Sequence, residues 1–168
     1  MELRTAAAKD LPCLREMYRE IVAHMAQTGT GIWNESYPCD FLEEDIQNRR
    51  LYLLEEAGVP AAAFALCLCN DGEKAVRWQR ADSAARYLDR LGVNPEFMRR
   101  GVASLALQKA AEIAGREGAE YLRLFVVREN LPALCLYRKS GFSQADGVFD
   151  EEIGDGVFLR EYGFEKKL

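Results

Sequence analysis

"VNPEFMRRGVASLAL", Val93 to Leu107, passes from the end of an apolar stretch through a polar turn into a helical pattern. The start of a helix carries roughly half a positive charge, so its first turn normally holds acidic residues. Here two arginines, Arg99 and Arg100, stand at that turn, followed by Gly101, Val102, Ala103 and Ser104. The unpaired N–H groups of a first turn point outward and can take an anion together. Gly101 and Ala103 keep bulk away from that backbone, and the two guanidiniums can add charge-assisted bonds from the rim. The alternative is a solvated helix start with two incidental arginines. Neither a phosphate loop followed by Lys-Ser/Thr nor a G-x-G-x-x-G dinucleotide turn is present.

Working outward, "RYLDRLGV" (Arg86 to Val93) reads as a strand closed by Pro95. The helix after the arginines runs to about Glu117, buries Val102, Leu105, Ala106, Ala110, Ile113 and Ala114, and ends at Gly118. "YLRLFVV" is a strand by its β-branched and aromatic character. Asn130 caps a further helix through about Ser140, with Pro132 in the first turn, and Gly141-Phe142 opens a strand. "GVFLREYGFEKKL" supplies the last one.

Toward the N-terminus, Leu3 to Ala6 is a short strand and Asp10 caps a helix reaching about Gln27. Its apolar stripe is Leu14, Met17, Tyr18, Ile21, Val22 and Met25. "TGTGIWNESYP" is a loop, and a short helix covers Asp40 to Asn48, with Glu43, Glu44 and Asp45 on a solvated face. "LYLLEEAGVPAAAFALCL" is a hairpin turning at Gly58, and Asn70 to about Ala85 is polar and irregular. The whole is a mixed α/β chain centred on a β-α-β-α unit.

The 168 residues suit one domain, 1–168, able to bury its own core. A net charge of -5 argues against nucleic acid as a partner and makes the arginines a local anion site. The five cysteines are scattered without a C-x-x-C pair, which fits a reduced, cytoplasmic setting. His24 is the only histidine, so no metal site of histidines and no Ser-His-Asp triad is expected. Neither a signal peptide nor a run able to span a bilayer is expected, and no membrane partner.

The turn Met98-Arg99-Arg100-Gly101-Val102-Ala103 resembles motif A of the GNAT superfamily of acyl-CoA N-acyltransferases, [Q/R]-x-x-G-x-[G/A]. Met98 stands where Gln or Arg is usual, which removes one polar anchor. "NLPALCLYRKSGF" matches the family's N-x-x-A-x-x-L-Y-x-x-x-G-F at every fixed position: Asn130, Ala133, Leu136, Tyr137, Gly141 and Phe142. Together the two segments cover the central third of the chain.

The resemblance implies a GNAT-like α/β fold: a central mixed sheet of about six or seven strands with about four helices. The fourth and fifth strands, "RYLDRLGV" and "YLRLFVV", would splay apart. It implies transfer of an acetyl group from acetyl-CoA, a co-substrate, to a primary amine in a ternary complex, without a metal. Leu91, Val93, Met98, Arg99, Arg100, Gly101, Val102, Ala103, Ser104 and Asn130 would hold coenzyme A. The Val93 N–H would polarise the thioester carbonyl. The Asn130 side chain would hold the pantetheine arm, or serve as a plain helix cap. Tyr137 would be the acid for the departing thiolate, or an ordinary half-buried aromatic.

An amine with pKa about 10.4 costs roughly 5 kcal/mol to deprotonate at pH 7, so a base is needed. Asp89 lies four residues before Val93, on the same strand face by period two, and could serve; it could equally pair with Arg90 or Arg123. Trp33, Glu35 and Tyr37 of the "TGIWNESYP" loop form an aromatic and acidic set suited to a cationic amine, or cover for the core. The acceptor expected is a small-molecule amine such as a polyamine or amino acid. A peptide or protein amine and a non-catalytic coenzyme A-binding sensor are the alternatives. The oligomeric state is open, a homodimer being one option.

Overall fold

The computed structural model describes residues 1–34, 36–152 and 158–168. Two compact units emerge, residues 1–66 with 90–109 and residues 67–89 with 110–168.

The first unit holds β1 (Glu2–Thr5), α1 (Leu11–Thr28), α2 (Leu42–Gln47), β2 (Leu51–Glu56), most of β3 (Val59–Cys67), and the second half of β5 (Ala85–Val93). It also holds the first half of α3 (Val102–Arg116). Its strands are ordered β1-β2-β3-β5. β1 and β3 both run antiparallel to β2, with a register shift between Leu54 and Glu55. Residues Ala61 to Ala65 of β3 are all fully buried, as befits a strand covered on both faces. Of the α1 stripe, Leu14, Met17, Tyr18 and Ile21 are buried as the helical spacing predicts, while Val22 and Met25 at its edge are half-buried. A side chain at Gly92 would lie 2.7 Å from Tyr18 and 2.9 Å from Ile21, so glycine there is what lets α1 come down onto β5. Asp10 does not cap α1: its carboxylate takes Arg4 at 2.6 and 2.8 Å and the Ala7 N–H at 2.8 Å.

The second unit holds β4 (Val76–Arg77), the first half of β5, the rest of α3, β6 (Tyr121–Val127) and α4 (Leu131–Lys139). β7 (Ser143–Gln144), β8 (Asp146–Gly147), β9 (Phe149–Glu152) and β10 (Phe158–Lys167) complete it. The order is β5-β6-β10-β7, with β9 also on β10. β10 is antiparallel to β6 from Glu161↔Val127 to Lys167↔Tyr121. β5 and β6 are parallel and pair from Ala85↔Tyr121 to Tyr87↔Arg123, although each strand is longer than that. This is the mixed sheet with four helices that the sequence predicts.

The "irregular" stretch after Asn70 is more ordered than its composition suggests. It makes a 3-10 turn at Asp71–Lys74 and the strand β4, which pairs with β8. Trp78 anchors it, buried against Tyr87 and Phe125 with its indole N–H donating to the Glu73 carbonyl at 2.8 Å. Gly163 makes room for that indole, since a side chain there would meet Trp78 at 2.9 Å.

Candidate active site

In the first unit, β5 ends at a fixed point. The Asn94 N–H donates to the Ala61 carbonyl at 3.0 Å, and its side-chain amide donates to the Pro60 carbonyl at 2.9 Å. Its side-chain oxygen accepts from the Glu96 N–H at 3.0 Å, opening the turn Pro95–Phe97. N–H groups of successive strand residues point to opposite edges. Because the N–H of Asn94 points to β3, those of Val93 and Leu91 point to the opposite edge.

The turn itself is unusual. Arg99 has φ 61° and Gly101 has φ 79°, left-handed conformations that alternate along the turn. Such backbone costs a non-glycine residue about 1 kcal/mol, and alternation of this kind makes an anion-binding concavity of N–H groups. The space beside Gly101 is open. Leu105 bonds back to the Gly101 carbonyl at 3.0 Å, so the N–H groups of Val102, Ala103 and Ser104 face out of the helix end. Val102 buries its side chain while Ser104 is exposed. The two arginines differ in their surroundings. Arg100 forms an ion pair with Glu56 and lies over the Phe97 ring at 4.7 Å. Arg99 is exposed and has no partner among the described residues. Met98 is half-buried before the turn.

Trp33 and Tyr37 belong to an aromatic chain: Tyr18 to Trp33 at 5.9 Å, Trp33 to Tyr37 at 5.9 Å, and Tyr37 to Phe41 at 5.6 Å between ring centres. Both are half-buried, so each covers Tyr18 or Phe41 and still presents an edge to solvent. Glu35 lies outside the described residues. Asp45 corrects the sequence reading of a solvated acidic face: Glu43 and Glu44 are exposed, but Asp45 is fully buried. It accepts from Arg50 at 2.6 Å and from Arg90 at 2.7 and 3.0 Å. Arg90 itself has φ 54° within β5. That left-handed residue interrupts the alternation between Asp89 and Val93, so period two does not put those two on one face.

In the second unit, α4 starts at Asn130, whose side-chain oxygen accepts from the Ala133 N–H at 3.3 Å; it is a helix cap as the alternative reading had it. Its side-chain NH2 group takes no part in that bond. Tyr137 packs its ring on Phe142 at 5.9 Å and Phe164 at 6.2 Å and is 8% exposed. Its hydroxyl has no hydrogen-bond partner among the described residues, and no fully buried side-chain polar atom there is left unpartnered, so this oxygen touches solvent. Burial, then the charges of Asp89 and Glu161, push the hydroxyl well above the usual tyrosine range. Tyr137 therefore stays protonated, as a proton donor must.

Asp89 accepts from the Asn70 side-chain amide at 3.3 Å. Of the two arginines expected as partners, Arg90 also pairs with Asp45, and Arg123 pairs with Glu165 at 3.3 Å. Tyr87, Phe125 and the open side of Gly163 all face Trp78, and Phe149 faces Phe125 at 5.7 Å. Two residues along each strand from these come Asp89, Glu161 and Glu151, which therefore share that sheet face. Glu161 and Glu151 are diagonal neighbours across β9 and β10. Burial, then the charges of Glu151 and Asp89, push the Glu161 carboxyl up to about 8. Burial and Asp89 likewise raise Glu151. Glu161 and Glu151 escaped the sequence reading; the one signal was an acid in the otherwise apolar alternation "LREYGF". Among the described residues there is no cluster suited to a metal ion and no helix long and apolar enough to cross a membrane.

The first unit thus carries an outward anion-binding turn, and the second a protonated tyrosine and a carboxyl raised to about 8, each a feature that group transfer uses. A mycothiol acetyltransferase from Clavibacter sepedonicus is 32% identical over 91 residues, which is 54% of this chain and 30% of that protein. The chain thus spans about a third of the length of the curated relatives it matches. Among solved structures, a GNAT-family acetyltransferase from Streptococcus agalactiae superposes with a TM-score of 0.84 at 20% identity, covering 99% of this chain and 95% of that one. The PaiA N-acetyltransferase of Thermoplasma acidophilum, solved in complex with coenzyme A, gives a TM-score of 0.70 at 22% identity, covering 99% and 98%. The model of the Acetyltransferase (GNAT) family matches residues 15–142, and the chain belongs to that family.

Proposed function

We propose that residues 1–168 act as one domain that transfers an acetyl group from acetyl-CoA to the primary amine of a small cationic molecule. The observation that carries this reading is the Tyr137 hydroxyl, buried on its ring side, without a partner among the described residues and held protonated beside carboxylates.

The chain's own residues fit a diphosphate-bearing donor. The N–H groups after Gly101 and the exposed Arg99 would grip the diphosphate, with Arg100 contributing from its pairing with Glu56. The backbone of Leu91 and Val93 would pair with the pantetheine arm, and the Asn130 side chain would reach it through its NH2 group. Coenzyme A supplies an acetyl thioester, a carbonyl activated toward amines. The Val93 N–H would stabilise negative charge on the carbonyl oxygen as the amine's carbon–nitrogen bond forms. Tyr137 would hand its proton to the sulfur as the carbon–sulfur bond breaks, and recover one from solvent.

The acceptor's ammonium must lose a proton before it attacks. A carboxylate poised at about 8 takes that proton near neutral pH without a large mismatch, which favours Glu161 over Asp89 as the base. Asp89 and Glu151 then supply negative charge for a cation, over a floor of Phe125 and Phe149.

The test is an acetyl-CoA-dependent thiol-release screen across polyamines, amino acids, aminoglycosides and peptides. Release with acceptors that carry a second positive charge, falling as that charge is removed, is the expected result. Tight coenzyme binding without release by any amine would favour a sensor.

A further inference from the structure

Two groups that the mechanism does not use converge on one backbone residue. Arg90 sits in the middle of β5, in a conformation with φ 54° that an arginine adopts only under constraint. Its carbonyl accepts the Tyr18 hydroxyl at 2.7 Å, and its guanidinium gives two bonds to Asp45, at 2.7 and 3.0 Å. Asp45 is fully buried and tied to Arg50 as well, so this anchor does not move with solvent. The Arg90 guanidinium also lies over the Phe41 ring at 5.4 Å, at the end of the aromatic chain from Trp33. Four residues later Asn94 is pinned by its own three hydrogen bonds. The segment Leu91–Val93 is therefore clamped at both ends, and Gly92 within it lies directly under Tyr18 and Ile21.

We propose that Tyr18 and Asp45 are positioning residues: by locking Arg90 in the left-handed conformation they fix the direction of the Val93 N–H. A strand with an ordinary residue at position 90 would continue its alternation and turn the following N–H groups to the other edge. The lock is built from a helix and a buried ion pair. It rests on the acetyl-transfer reading only for its catalytic consequence; the backbone direction is measurable without turnover.

The experiment compares Tyr18→Phe, Arg90→Ala and Arg90→Gly. Both Arg90 variants lose the bonds to Asp45 equally, but glycine enters the left-handed region freely whereas alanine does not. In the free protein the Val93 amide resonance should shift in Arg90→Ala and Tyr18→Phe and stay near its wild-type position in Arg90→Gly. In turnover, Tyr18→Phe should lower kcat about tenfold with the KM for acetyl-CoA changed less than about twofold, as a mis-aimed oxyanion donor does. Arg90→Ala should fall about tenfold further than Arg90→Gly, the scale expected of a small misplacement. An unmoved Val93 amide in Arg90→Ala, or equal loss of kcat in the two Arg90 variants, overturns the proposal. Absence of turnover in the wild type, with the amide shifts as expected, would instead reject the function while leaving the lock supported.

Discussion

Asp45 in the first unit and Glu161 in the second are both acids drawn away from bulk water, and the signs of their surroundings are opposite. Asp45 is fully buried between Arg50 and Arg90, its oxygens met by charge-assisted bonds. Glu161 faces Glu151 and Asp89 and is held near pH 8 in its titration. A neutralised carboxylate fixes geometry, and here it holds a strained strand residue. A carboxylate surrounded by its own kind is poised to give and take a proton. The difference separates scaffold from chemistry more sharply than residue type or burial does.

Removing Asp45 should show the largest effect. Asp45→Ala takes from the largely buried Arg90 the carboxylate it is bonded to, while Arg50 keeps Glu44 at 2.9 Å; breaking a buried pair on one side costs about 3 kcal/mol. Chemical denaturation should show a loss of that size, and one below about 1 kcal/mol would mean that the ion pair is not the anchor described.

Glu161→Gln should act in the opposite direction on stability while lowering turnover. A carboxyl raised from 4.5 to about 8 stabilises the fold at acid pH, and that contribution is lost as pH rises through about 8. The wild type should therefore lose stability between about pH 4.5 and 8, whereas the glutamine variant should not, and should be the more stable protein at pH 9. Its kcat/KM should fall about a hundredfold and lose the rise with pH expected of the wild type around 8. An unchanged pH profile would transfer the base to Asp89 or to water.

The smallest effects should come from the turn. Arg99→Ala should weaken coenzyme A binding about tenfold, the value of one charge-assisted contact, by calorimetry. Arg100→Ala should weaken it about threefold or less, because that guanidinium is already engaged by Glu56. Equal effects would mean that the Glu56 pairing does not hold Arg100 back from the donor.

The pairing of Arg100 with Glu56, 44 residues away, marks where the sequence stops being legible. The turn after Val93 and the Asn130–Phe142 segment could be read because their chemistry is local: a left-handed glycine, a cap, a helical stripe. The main strands and all four helices followed from periodicity. β4, β8 and β9 did not, since strands of two to four residues show no period and pair through distant chain. Asp45 looked like one of three acids on a polar helix face because the arginine that buries it is 45 residues away. Glu161 was hidden similarly, its neighbours Asp89 and Glu151 coming from other strands. Arg90 carries no mark in sequence at all, since its left-handed backbone is imposed by Tyr18 and Asp45.

The central claim is that Tyr137 serves as the acid in acetyl transfer, and Tyr137→Phe tests it most directly. The phenyl ring keeps its packing on Phe142 and Phe164, so the fold and the affinity for acetyl-CoA by calorimetry should be unchanged. With a cationic amine that the wild type acetylates, kcat should fall on the order of a hundredfold or more. Turnover equal to wild type in a variant of unchanged affinity would contradict the account.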